Sequence, residues 1–187
     1  MRRALLLMAA LAAATPAMAW DLQELMRDLA RHPGGRAHFV EKKTLALLDK
    51  PLVSSGELLY QPLARLEKRT LQPKAELLVL DGDTLRMERG KHKLSLRLSE
   101  QPQVMAFVDS LRGTLTGDLK ALESHYKLHL SGSRERWTLD LLPDDQAIAA
   151  FVLRITFTGS GDRVDSIQYL QADGDRSVMS IEPVGDR

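Results

Sequence analysis

Tyr126-Lys127-Leu128-His129-Leu130 and Trp137-Thr138-Leu139-Asp140-Leu141 alternate apolar and polar residues without a break, and Leu94-Ser95-Leu96-Arg97-Leu98 does the same upstream. A period of two sends every apolar side chain to one face of a sheet and every polar one to the other. A sheet with one apolar face has to cover that face with another layer. These three segments therefore predict a mainly β domain, and the cover has to come from elsewhere in the chain.

Working outward, the pattern extends to eleven short strands interrupted once by a helical insert. Residues 36–48 form a long, partly alternating segment with Phe39, Leu45 and Leu47 in phase, and residues 56–60 follow after Ser54-Ser55. Residues 64–71 are highly charged and read as an edge or curved strand. Glu76 to Leu80 leads into Asp81-Gly82, a two-residue hairpin signal, and Leu85 and Met87 alternate beyond it. The last five strands fall near 125–131, 135–142, 149–158, 163–170 and 176–182. Ser131-Gly132, Pro143-Asp144-Asp145, Gly159-Ser160-Gly161 and Asp173-Gly174 separate them at the spacing of antiparallel meanders.

Two stretches have helical spacing instead. Asp21 can cap a helix over 21–31, with Glu24 completing a capping box and Leu22, Leu25, Met26 and Leu29 on one face. From Gln101 to Ser124, Val104, Phe107, Val108 and Leu111 sit at i, i+3, i+4 and i+7. Gly113 is expected to break this helix before a second short one with Leu115, Leu119 and Leu122. Helices this short are marginal alone, so packing must hold them, as a movable lid requires.

The first nineteen residues read as a cleaved signal peptide: Arg2 and Arg3, an apolar run from Ala4 to Ala14, then Ala17-Met18-Ala19. Eleven apolar residues are short of the roughly 20 that span a bilayer. Removing 19 of 187 residues leaves 168, residues 20–187, the size of one domain. The 26 basic residues lose Arg2 and Arg3, so 24 face 25 acidic ones and the net charge becomes −1. That balance gives nucleic acid no counterion-release term, so no nucleic-acid partner is expected. With no cysteine in the chain, disulfides, thiolate chemistry and Cys-ligated metals are excluded.

Catalytic and metal motifs are sparse. His125 and His129 share a strand face, but four residues of strand separate them by ~13 Å, too far for one metal. Asp81-Gly82-Asp83 and Asp173-Gly174-Asp175 are hairpin turns without the ligand pattern of a calcium loop. Ser131 and Ser160 lie in strand-to-strand turns, not in a nucleophile elbow. No catalytic residue, metal or cofactor is expected, and the chain reads as a non-enzyme.

The segment Ser55-Gly56-Glu57-Leu58, Pro62, Thr70-x-x-Pro73 and Asp81-Gly82-x-Thr84-Leu85 resembles the LolA-like family of periplasmic outer-membrane lipoprotein carriers. Phe39 and Glu41 stand where that family opens its first strand, and the order of signal, helix, six strands, helical insert and five strands is similar throughout. The resemblance implies a single curved antiparallel sheet forming an unclosed β-barrel, lidded by helices (α+β). It also implies a role in carrying acyl chains across the periplasm, from an inner-membrane release complex to an outer-membrane acceptor. Relatives associated with aryl-polyene-type lipids leave lipoprotein and other lipidic cargo both open. The family fastens its lid with an Arg preceding the second-strand proline; here that position is Gln61, a possible latch without charge.

The expected function is thus a monomeric periplasmic carrier of acyl or lipid chains. Its cavity lining would be Leu58, Tyr60, Leu66, Leu77, Val79, Leu85, Met87, Leu94, Leu96, Leu98, Trp137, Leu139 and Phe151, under lid residues Val104, Phe107, Val108 and Leu111. The alternatives are a lipid-acting periplasmic enzyme, with Glu67 or Glu88 as its acid, and a non-carrier scaffold domain of a cell-envelope complex.

Overall fold

The computed structural model describes residues 20–62 and 65–185. The expected signal peptide, residues 1–19, lies outside the described residues. Helix α1 (Leu22–Ala30) is followed by β1 (Gly35–Thr44), β2 (Leu52–Gln61), β3 (Arg65–Gln72), β4 (Glu76–Asp81), β5 (Thr84–Arg89) and β6 (His92–Arg97). A 3-10 turn (Leu98–Glu100) leads into α2 (Pro102–Thr116) and α3 (Leu119–Glu123). The chain continues through β7 (Tyr126–Ser133), β8 (Arg136–Pro143), α4 (Gln146–Ala149), β9 (Val152–Ser160), β10 (Arg163–Gln171) and β11 (Arg176–Pro183).

All eleven strands form one antiparallel sheet in the order β6-β5-β4-β3-β2-β1-β11-β10-β9-β8-β7. Two meanders, β1–β6 and β7–β11, are welded where β1 pairs with β11, from Ala37 opposite Pro183 to Thr44 opposite Arg176. This leaves β6 and β7 as the edges of an unclosed curved sheet. Since α2 and α3 connect β6 to β7, the insert has to pass from one edge to the other. It does so across the apolar face, and the topology itself makes it the cover.

Helix α1 starts as its sequence demands: the Asp21 carboxylate accepts the Glu24 amide at 2.9 Å. Its Leu25, Met26 and Leu29 are buried against Trp137, Leu139, Leu141, Ile155 and Phe157 of β8 and β9. Each such side chain is worth about 1.5–3 kcal/mol when fully buried. Asp28, on the same helix, receives a two-pronged ion pair from Arg134 in the β7–β8 turn, at 2.8 and 3.0 Å.

Several local expectations need correction. Gly113 does not break a helix; it lies inside α2, where a Cβ would press on the Leu122 side chain at 2.8 Å, and its absence lets α3 fold back closely. The break is Gly117, at φ 68 in the left-handed region. Strand β3 is not an edge but sits between β2 and β4. Arg65, Glu67 and Arg69 point outward, where Glu67 bonds Arg65 at 3.0 Å and Arg69 at 2.9 Å, while Leu66, Lys68 and Thr70 point inward. The β4–β5 turn is Gly82-Asp83, closed by Asp81 opposite Thr84, one residue later than Asp81-Gly82. The one-turn α4, capped by Asp145, was not expected from the sequence.

Candidate functional site

Strand register sorts the covered face into rows that run across the sheet. One row is Tyr60, Leu66, Leu80, Leu85 and Leu96. The next, two residues along each strand, is Leu58, Lys68, Leu78, Met87 and Leu94. On the other half of the same face, Trp137, Leu139 and Leu141 continue through Phe157 and Ile155 to Ile167 and Tyr169.

The halves are filled differently. Around β7–β10, Trp137, Leu139, Leu141, Ile155 and Phe157 are fully buried beneath α1 and α3, a close-packed core. A Cβ on Gly159 would collide with the Trp137 ring, so even that backbone is in contact. Trp137 and Leu139 are sealed there, away from any opening. Around β2–β6 the cover is thinner. Leu80, Leu98 and Val108 form a small buried cluster with Leu66, Leu85 and Val104 at its margin. In the adjoining row Leu58, Leu78 and Met87 are only half-buried, and Leu94 is 47% exposed.

Helix α2 bridges the halves with the four residues that its sequence stripe singled out. Val104 and Val108 meet the β4–β6 cluster, Leu111 meets the larger core, and the Phe107 ring stands 4.7 Å from the ring of Tyr169. Among the hydrogen bonds that fasten it to the sheet, Ser110 is bonded to Tyr126 of β7 and two others reach the β2–β5 half. The Tyr60 hydroxyl donates to the Leu115 carbonyl at 3.0 Å, and Arg112 donates to the carbonyl of Gly82 in the β4–β5 turn. The exposed Gln61 side chain makes no such bond among the described residues, although it lines a cleft of about 320 Å³ between α2 and β2–β4. The fastening sits one residue earlier, on the hydroxyl of Tyr60, a residue expected in the lining.

The sheet face does not hold every residue expected there. Leu77 and Val79 are opposite Glu88 and Arg86, so they take the outer face, and Leu78 and Leu80 take the inner positions. Four apolar residues in a row, Leu77-Leu78-Val79-Leu80, carry no period-two signal. The register to Leu85 was the available guide, because any two-residue turn after Leu80 or Asp81 puts Leu78 with Leu85 or Met87. Phe151 is not in a strand; it follows α4 and is 53% exposed. Leu98 ends the face in the 3-10 turn, buried against α2.

Glu67 and Glu88, the carboxylates considered for an enzyme, both stand on the outer face, paired with arginines and with Lys93. The ionisable groups on the covered face are different ones. Glu41 accepts a hydrogen bond from Ser177 Oγ at 2.6 Å and an ion-pair bond from Lys68, which reaches it from β3. Burial pushes the Glu41 carboxyl up, but the bonds from Lys68 and Ser177 and the charges of Lys68 and Lys43 outweigh it and hold it below its ordinary value. Burial raises the Tyr60 and Tyr169 hydroxyls and pushes Tyr126 up to about 12, so all three stay neutral donors. Asp109 of α2 is raised by burial, with Arg112 and His125 opposing. Among the described residues, no group of three or more His, Cys, Asp or Glu could hold a metal ion, and no helix is long and apolar enough to cross a membrane.

A family model described as outer membrane lipoprotein carrier protein LolA-like matches residues 13–181. The chain belongs to the LolA-like family. Solved structures similar to it include a LolA superfamily protein from Nitrosomonas europaea, 10% identical, with a TM-score of 0.48 over 89% of this chain and 94% of that one. The MucA/MucB complex of Pseudomonas aeruginosa contains a chain 15% identical, TM-score 0.46, matched over 89% of this chain and 59% of its own length. LprF from Mycobacterium bovis is 13% identical, TM-score 0.35, over 88% and 94% of the two chains. No curated protein matches the sequence. The LolA-like order of helix, six strands, insert and five strands is the order found here.

Proposed function

We propose that residues 20–187 act as a monomeric periplasmic carrier, holding the acyl chain of a lipoprotein or another lipid and moving it from the inner to the outer membrane. A release complex would load it and an acceptor would empty it, with no chemistry performed by the carrier. One observation carries the reading. Within a covered face, the strip Leu58, Leu78, Met87 and Leu94 is left half-open, beside a helix held on this half by the Tyr60 and Arg112 hydrogen bonds and a small apolar cluster. The filled β7–β10 half serves as the rigid wall, so cargo uses the β2–β6 half and α2.

The energetics suit reversible binding. Burial is worth about 0.8 kcal/mol per CH₂, so a sixteen-carbon chain would gain on the order of 12 kcal/mol before ordering costs. Moving α2 separates Phe107 from Tyr169 and Val108 from Leu80, and that cost is subtracted from the gain. Binding that is too tight to release is thereby avoided.

Native mass spectrometry of the protein purified without detergent tests this. Mass increments matching acyl lipids are the expected result. A bare protein that also fails to take up an added fatty-acid fluorophore would overturn the carrier and leave a scaffold domain in its place.

A further inference from the structure

The half-open row has one member out of character: Lys68, between Leu58 and Leu78. Gly56 is its neighbour on β2, one step along, and offers no side chain to the face. Lys68 extends past it, placing Nζ 4.9 Å above the centre of the Phe39 ring and against the Glu41 carboxylate of β1. Burying an ammonium in an apolar surface is costly, and half of an ion pair rarely appears there without a use or a full set of partners.

The partners here are incomplete. Glu41 contributes one negative charge, its Oε1 taking Ser177 at 2.6 Å and lying 3.9 Å from Lys43 Nζ, its Oε2 taking Lys68. Two ammonium groups thus share one carboxylate, and the cluster keeps one surplus positive charge. The other ionisable groups on this part of the face do not cancel it. Glu76 at the rim is bonded to Arg89 at 2.6 Å, and Tyr169 is neutral. Of the three donors on Lys68, Glu41 takes one and the Phe39 ring lies under the group, while a quarter of the side chain remains exposed.

We propose that Lys68 forms the polar end of the groove and receives the anionic head of the cargo, a carboxylate or a phosphate attached to an alkyl chain lying over Leu58, Leu78, Met87 and Leu94. This rests on the carrier reading above and adds the class of lipid. Glu41 and Ser177 act as positioning residues, holding the ammonium at the groove floor. A cation surrounded by hydrocarbon is screened less than one in water, so it discriminates strongly between charged and neutral heads.

Calorimetric titration at fixed salt, with hexadecanoate, hexadecyl phosphate, methyl hexadecanoate and hexadecanol, tests the proposal on the full mature chain. The wild type is expected to bind at least one of the two anions tenfold or more tighter than both neutral lipids, and the stronger anion identifies the head. In Lys68→Met the ratio should collapse to within twofold. Should that variant unfold by circular dichroism, Glu41→Gln/Lys68→Met, which removes the whole pair, takes its place with the same expectation. Equal affinity for anionic and neutral lipids in the wild type, or a preference that survives loss of the ammonium, overturns the Lys68 assignment alone. Failure of all four lipids to bind would overturn the carrier reading itself.

Discussion

The Tyr60 hydroxyl donates to the Leu115 carbonyl across 3.0 Å, tying the second strand of the sheet to the last turn of α2. Leu115 lies in that last turn, just before the helix stops at Gly117, so its carbonyl is one of those left without an amide partner. The bond therefore serves both partners: a half-buried hydroxyl is satisfied and a helix terminus is completed.

Tyr60→Phe keeps the ring and deletes only that bond, at a cost of about 1 kcal/mol. The loss should appear locally. Amide hydrogen exchange is expected to speed up several-fold over residues 104–116 while β7–β10 stay protected, and uptake of a fluorescent fatty acid should quicken. Uniform exchange across sheet and helix would show that Tyr60 is an ordinary core residue and not a fastening.

Gly117→Ala probes the same end of α2 from its other side. The residue adopts φ 68, and a Cβ would run into the Met26 carbonyl of α1, where backbone cannot yield cheaply. Left-handed strain alone costs about 1–2 kcal/mol, and the collision adds to it. A thermal midpoint lowered by several degrees is expected, whereas Gly82→Ala should cost only its strain because nothing lies within 4 Å of that position. Equal losses at the two sites would remove the close approach of α2 to α1 from the explanation.

How much of this was legible beforehand depends on what each residue had to specify. The eleven strands and the cover could be read because alternation in segments such as Leu94–Leu98 and Trp137–Leu141 is a local signal. Leu77 and Val79 take the outer face against the sequence expectation because an unbroken apolar run has no phase; only pairing with Leu85 supplies it. Gly113 continues the helix that its sequence predicts it to break, for a related reason. A glycine permits both a helix break and a close helix contact, and only the position of Leu122 decides between them. The Glu41–Lys68 pair spans 27 residues and two strand pairings, and no spacing rule announces it. Charged residues in a mostly charged strand look solvated until the register shows which of them turn inward.

Phe107 offers the sharpest test of the lid. Its ring packs on Tyr169 at 4.7 Å yet remains 36% exposed, so a substitution there alters the helix's underside without opening the core. Phe107→Asp should leave the far-ultraviolet circular dichroism spectrum intact and lower the melting temperature by a few degrees. Uptake of a fatty-acid fluorophore is expected to fall at least tenfold, since a carboxylate would then stand against Tyr169 on the covered face. Undiminished uptake would exclude α2 from the binding mechanism.

Glu41 makes stability depend on acid. Its folded-state carboxyl lies below the ordinary 4.5, so near that pH the unfolded chain binds more protons than the native one. The stability contributed by Glu41 is therefore complete above about pH 4.5 and drains away as pH falls through the lower, folded value. Glu41→Gln lacks this titration and leaves Lys68 without its carboxylate, at a cost of roughly 2–3 kcal/mol near neutrality because Lys68 keeps some access to water. Other carboxylates held low by their partners, such as Glu67, titrate in both proteins and cancel in the difference. Urea unfolding between pH 7 and pH 3 should thus show the gap between wild type and Glu41→Gln narrowing steadily below pH 4.5. A constant gap would mean that Glu41 is no more acidic folded than unfolded, and that the Lys68 and Ser177 bonds do not hold its charge in place.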